Sequence, residues 1–385
     1  MLSKRAQSIS PSMTLAITAQ VKALKAQGED VINFGAGEPD LPTPDFICDA
    51  AKKAIDEGFT RYTPAGGLPR LKEAAASAFK RRNNLDYSID EIAISCGAKH
   101  SLYNVMQAIV DAGDKVVIPV PYWVSYPEMV KLAAGEPIFV ETKKEKNFSL
   151  SAEDLEKAVK KNGPIKALIL NSPSNPTGAM YSKQQLNTIL DVCLKYNILV
   201  ISDEIYDVLS YGEEFVSFAS LSKEAKAITI TINGVSKAYS MTGWRIGYAA
   251  GPKEVIKAVS SIQSHSTSNP TSISQYAAIA ALEQGEEWEK KMKSTYKQRA
   301  ELVMDLFKGA KAKPFKPMGT FYAFIDISAY NMDSLSFAKE LLDKAKVGVI
   351  PGVAFGADSW VRLSFATSEK DIKEGISRWL KWEKQ

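Results

Sequence analysis

Histidine is nearly missing from this chain: His100 and His265 are the only two in 385 residues. Histidine-rich zinc sites are excluded, and a Ser-His-Asp triad would have to use one of just two rings. Proton transfer therefore falls to lysine, carboxylate, tyrosine or a cofactor. Cysteine is scarce too. Cys48, Cys96 and Cys193 are odd in number and far apart, which argues against a disulfide framework and for a reducing cytosol. Charge is nearly balanced: 48 basic and 44 acidic side chains leave a net +4, spread along the chain, with no footprint for nucleic acid or a membrane surface. No apolar run approaches the roughly 20 residues of a spanning helix. The N-terminal MLSKRAQSIS also lacks the apolar core of a signal peptide. The sequence reads as cytoplasmic.

What is present is an ordinary globular composition, 45% apolar and 24% charged, in a chain long enough for two domains. Helical patterns over 15–27, 46–58 and 67–83 precede and separate short β-branched runs: EIAIS (91–95), KVVIPV (115–120), PIFVE (137–141), KALIL (166–170), NILVIS (197–202), AITITI (227–232) and RIGYAAG (245–251). Most of these runs are apolar throughout rather than alternating, which predicts strands covered on both faces. Such strands alternating with helices predict a wound, mainly parallel α/β sheet. A long helical region begins after about residue 270. An α+β pattern follows it: GTFYAFID, a helix over 335–346, VGVIPG, WVRLSFA and a terminal helix. The expected fold class is α/β, with a large domain over 41–290 and a smaller α+β domain from 1–40 and 291–385.

In open α/β sheets ligands bind beyond the carboxyl ends of the strands, so the residues after each apolar run carry most information. Four such ends are unusual. After EIAIS, Cys96-Gly97-Ala98-Lys99-His100 places a glycine turn before a helix start, a phosphate-binding arrangement that many ordinary turns also share. After KALIL, the loop NSPSNPTG holds Asn175 between prolines, either a rigid turn or an amide aimed at a ligand. After NILVIS stands Asp203, a helix cap or the partner of a buried cation. After AITITI comes GVSKAYSMTGWRIGY, where Lys237 and Arg245 sit among small and apolar residues with no acidic neighbour in the stretch. A buried lysine loses its proton easily, and a neutral amine forms an imine with an aldehyde; a snorkelling surface lysine is the plainer reading. Together the phosphate turn, the strand-end carboxylate and the lysine match the needs of pyridoxal 5'-phosphate.

The motifs NSPSNPTG, SDEIYD and SKAYSMTGWRIGY, in this order and spacing, resemble the fold-type I pyridoxal-phosphate aminotransferases of class I. Within that family the sequence is most similar to the bacterial aspartate aminotransferase branch, some of whose members also use prephenate. The likeness runs from PSMTLAI to VRLSFATSE. It implies that Lys237 is the imine-forming lysine and moves the Cα proton, and that Asp203 keeps the pyridine nitrogen protonated. Tyr206 and Asn175 would hydrogen-bond the phenolate oxygen, with Asn175 also meeting the substrate carboxylate. Trp123 would stack on the ring. The phosphate would rest on Gly97, Ala98, Lys99, Ser236 and Arg245, and Tyr62 would reach the phosphate of a neighbouring subunit, which implies a homodimer with shared active sites.

At the substrate end, the resemblance assigns Arg362 to the α-carboxylate and Gly37 to the mouth of the site. Gly35-Ala-Gly37 alone suggests a dinucleotide fingerprint, but EPDLPTP follows it rather than a helix start. Lys99, Ser12 and Thr14 match the positions that meet a distal carboxylate in the aspartate and prephenate branch, and His100 stands where the family has glutamine. The implied reaction is a ping-pong transfer between L-aspartate and 2-oxoglutarate. Prephenate or an aromatic amino acid as main substrate, a β-lyase reaction and a non-catalytic protein on the same fold are the alternatives.

Overall fold

The computed structural model describes residues 1–11 and 13–384 of the chain. The strands are β1 (Ile32–Asn33), β2 (Ile92–Ser95), β3 (Lys115–Val120), β4 (Glu136–Glu141), β5 (Ala167–Asn171), β6 (Leu199–Asp203), β7 (Thr229–Gly234) and β8 (Gly247–Ala250), followed by β9 (Lys313–Pro314), β10 (Tyr322–Asp326), β11 (Val347–Gly348), β12 (Ile350–Pro351) and β13 (Trp360–Ser364).

All seven apolar runs join one sheet in the order β2-β8-β7-β6-β5-β3-β4. The ladders β4-β3, β3-β5, β5-β6 and β6-β7 are parallel, and β8 is antiparallel to both of its neighbours. Strands β5 to β8, and β2 at one edge, are buried along almost their whole length, as continuous apolar runs require. β4 departs from that expectation. It is an edge strand with exposed and half-buried positions, and Phe139 stays 46% exposed.

Helices cover both faces. Helix Lys183–Tyr196 shows why the chain turns where it does. Ser182 and Gln185 form a reciprocal capping box at its start, and Asn197 closes it at φ 53°. A second sheet of order β12-β13-β10-β9 lies with the C-terminal helices around Phe307, Phe337 and Trp379, all fully buried or nearly so. β1 pairs in parallel with β11, tying the N-terminal segment to this C-terminal unit. The 21-residue helix Glu286–Leu306 precedes that unit. Near its start Glu289 meets Arg82 at 2.5 Å and Arg81 at 3.1 Å, while Arg82 lies 3.9 Å from Asp207, so a mostly buried ion cluster links three elements. No described helix is long and apolar enough to cross a membrane.

Candidate active site

The register of β8 decides where the chemistry collects. Gly234 at the end of β7 pairs with Gly247 at the start of β8, and Ser95 at the end of β2 pairs with Gly247 on the other side. The turns after β2 and β7 and the approach to β8 therefore meet at one edge. A Cβ on Gly247 would lie 2.1 Å from the Ala98 nitrogen, so glycine is what lets β8 pass the start of helix Ala98–Ile109. The ends of β5 and β6 open on the same side, bringing Asn171 and Asp203 alongside.

These ends enclose a cavity of about 490 Å³. Its lining includes Ala98, Lys99, Trp123, Asn175, Asp203 and Tyr206. It also includes Ser236, Lys237, Arg245, Arg362, Gly37 and Thr14. Twelve of the fifteen expected site residues thus converge. Of the other three, Gly97 caps the helix beside the cavity, and a Cβ there would stand 2.4 Å from Arg245 Nη2. Ser12 lies outside the described residues. Tyr62 is 89% exposed and stands apart from this chain's own cavity.

Lys237 donates a 2.5 Å hydrogen bond from Nζ to the Gly37 carbonyl oxygen. Desolvation pulls its pKa down to about 8; Glu38 works against that shift, and Arg362, Arg245 and Lys99 add to it. The sequence showed no acid beside Lys237 because Glu38 reaches it from the N-terminal segment. Asp203 Oδ2 accepts a 2.7 Å bond from the Tyr126 hydroxyl, and Oδ1 accepts from the Ile205 N–H at 3.3 Å. Burial raises the Asp203 carboxyl to about 6, against these hydrogen bonds and the charge of Lys237.

Arg245 is exposed at the cavity mouth rather than packed inside. Its φ of 59° is left-handed, and its guanidinium is held by the Thr242 and Cys96 carbonyl oxygens at 2.8 and 3.2 Å. Two rigid contacts thus aim a cation at the turn before helix Ala98–Ile109. Arg362, also lining the cavity, is buried on β13, donating from Nη1 to Asn175 Oδ1 at 2.9 Å and from Nη2 to the Gly35 carbonyl at 3.2 Å. Its guanidinium lies 4.2 Å from the Tyr322 ring centroid. Tyr206 and Tyr322 share a hydroxyl hydrogen bond of 3.1 Å. Lys99 places Nζ 4.8 Å from the Trp123 ring centroid, and burial lowers its pKa, helped by Arg245. His100 has its pKa lowered by burial and accepts from the Cys96 N–H at 3.3 Å, so it caps the turn.

Several wall residues escaped sequence reasoning. Tyr126 lies in the first turn of helix Ser125–Leu132 and packs edge-on against Trp123 just before it, ring centroids 5.3 Å apart. Tyr322 stands on β10, diagonal to Arg362 across the β10–β13 ladder, and only that pairing brings the two together. Glu38, whose Oε2 accepts from Thr242 Oγ1 at 2.9 Å, had no local signal beyond the GEPD stretch.

The sequence family described as aminotransferase class I and II matches residues 29–378. The chain belongs to that family. A Geobacillus stearothermophilus protein named aspartate aminotransferase is 50% identical over 98% of this chain and 97% of its own length. An Aquifex aeolicus protein named "Probable aspartate/prephenate aminotransferase" is 46% identical over 98% of this chain and 97% of its own. A solved structure of Thermus thermophilus aspartate aminotransferase with maleate superposes with a TM-score of 0.95 at 41% identity, covering 99% of both chains. The class I and II aminotransferase fold implies pyridoxal phosphate as cofactor. The donor set fits it. A lysine that is readily neutralised, a buried carboxylate at a strand end and a glycine turn facing an arginine border one cavity, matching an aldehyde, a ring nitrogen and a phosphate.

Proposed function

We propose that the protein is an aspartate aminotransferase, moving the amino group of L-aspartate to 2-oxoglutarate and releasing oxaloacetate and L-glutamate in two half-reactions. The observation that carries this reading is the placement of two kinds of anion receptor in one cavity. Arg362 is a fixed fork suited to an α-carboxylate, and Lys99 is a partly desolvated cation suited to a second carboxylate. A neutral side chain would leave Lys99 without a counter-charge, which favours dicarboxylates.

Pyridoxal phosphate, once bound, supplies an electron sink that makes the Cα–H bond acidic. Asp203 would hold its ring nitrogen, Tyr206 and Asn175 its phenolate oxygen, and Gly97, Ala98, Ser236 and Arg245 its phosphate. Trp123 would cover the ring face. With its pKa near 8, Lys237 can lose its proton close to neutral pH, so its amine can take the Cα proton and return it on the other side of the reaction. The large unit (41–290) would carry the cofactor. The small unit (1–40 with 291–385) would bring Arg362 and close over the substrate to exclude water.

A cytoplasmic homodimer is the assembly that accounts for Tyr62, an exposed aromatic that would reach the neighbouring subunit's phosphate. Prephenate, itself a dicarboxylate, is the second acceptor to consider, since Thr14 and Lys99 both line the cavity. The test is oxaloacetate release from aspartate and 2-oxoglutarate by cofactor-loaded protein, run beside phenylalanine with prephenate. Turnover of neutral donors only would overturn the aspartate reading.

A further inference from the structure

The cavity wall carries a cation with no other task. Helix Met13–Ala26 faces the cavity with Thr14, Thr18 and Lys22, spaced four residues apart and so aligned on one side. Thr18 donates its hydroxyl proton to the Thr14 carbonyl at 2.8 Å, so that proton is not offered to a ligand. Lys22 is exposed and makes no hydrogen bond or ion pair among the described residues. The other four basic groups lining the cavity are all engaged: Lys237 with the Gly37 carbonyl, Arg245 with two carbonyls, Arg362 with Asn175 and Gly35, and Lys99 over Trp123. Five basic and two acidic residues, Glu38 and Asp203, line this one cavity of a chain whose whole net charge is +4.

We infer that Lys22 is a specificity-determining entrance cation, which captures dianionic amino and oxo acids at the rim and guides them toward Lys99 and Arg362. The inference rests on the dicarboxylate reading above. Thr14 and Lys22 are two turns apart, about 12 Å along the axis, so Lys22 acts ahead of the bound position rather than at it. A free ammonium at the mouth of a positively lined cleft raises the local concentration of dianions and their rate of entry. A monoanion with a neutral side chain feels less of that field. The selection therefore appears in kcat/KM and fades as salt screens the mouth.

The experiment compares the cofactor-loaded wild type with Lys22→Gln and Lys22→Arg. At low salt Lys22→Gln should lower kcat/KM for aspartate and glutamate about fivefold, the size of one exposed charge contact. Its kcat should stay unchanged, its kcat/KM for alanine and phenylalanine should hold, and the deficit should close at high salt. Lys22→Arg should retain wild-type values. An equal loss for acidic and neutral donors, a loss confined to kcat, or no loss at all overturns the inference. A wild type that prefers neutral donors instead overturns the dicarboxylate reading itself, so the two failures are separable.

Discussion

Tyr126 donates a 2.7 Å hydrogen bond to Asp203 at the end of β6, where the carboxylate is buried. That bond favours the ionised carboxylate against the burial that raises its pKa to about 6. Tyr126→Phe should push the carboxyl higher still, so that it stays protonated, and lost as the proposed partner of the ring nitrogen, up to a higher pH. The acid limb of the kcat/KM profile should move upward, and cofactor should dissociate about tenfold more readily. A pH–rate profile and a cofactor-release titration read both.

Lys237 is the one group whose loss should abolish turnover. Lys237→Ala should lower kcat by about 10⁴-fold or more. Borohydride reduction followed by peptide mapping should label Lys237 in the wild type and nothing at that position in the variant. Stability should move the other way. Its pKa is depressed from 10.5 to about 8, so folding disfavours the charged form. That penalty is fully present below about pH 8 and fades as pH rises toward the unfolded value. Lys237→Met apoprotein should therefore melt about 2 °C higher at pH 7, with the gain shrinking toward pH 10.

Arg362 combines two fixed hydrogen bonds with a tyrosine face, an arrangement lysine cannot copy. Arg362→Lys should lower kcat/KM for every amino acid by about 100-fold, whatever its side chain. A Lys99→Met variant should instead penalise dicarboxylates alone. Steady-state kinetics across aspartate, glutamate and alanine distinguish the two patterns.

Gly97 has φ 92°, and a methyl group there would collide with the Arg245 guanidinium. Gly97→Ala should strain the turn, displace the cation and weaken cofactor affinity about tenfold or more. Fluorescence titration of the apoprotein with pyridoxal phosphate measures it.

The cluster of Arg82, Glu289 and Asp207 is buried and ionic, so removing one member strands the others. Glu289→Leu should cost about 3–5 kcal/mol, seen as a lowered midpoint in urea.

The sheet was legible in the sequence because most of its strands are covered on both faces, leaving short runs that are largely apolar throughout. β4 was misjudged as covered because PIFVE looks like its neighbours, and edge position follows from strand order rather than composition. The places of Asp203, Asn175 and Lys237 at the cavity were legible because Asp203 follows directly on an apolar run and the other two stand five residues past the end of one. Tyr322 and Glu38 were not. They reach the cavity through tertiary pairing with residues far along the chain, and neither the ladder Tyr322–Ser364 nor the approach of the GEPD segment leaves a local trace. The exposure of Arg245 was equally hidden, since most of its small and apolar neighbours are buried as they suggest while the arginine itself is not.

The antiparallel course of β8 has a consequence for how this protein tolerates change. Lys237 and Arg245 hang from a single hairpin whose base is pinned where Gly234 faces Gly247. Their separation is gauged by one short length of loop and not by how the helices settle on either side of the sheet. Drift in the surrounding scaffold can accumulate without re-spacing the two cations, whereas one residue inserted between them would move the amine proposed to grip the aldehyde relative to the guanidinium proposed to grip the phosphate.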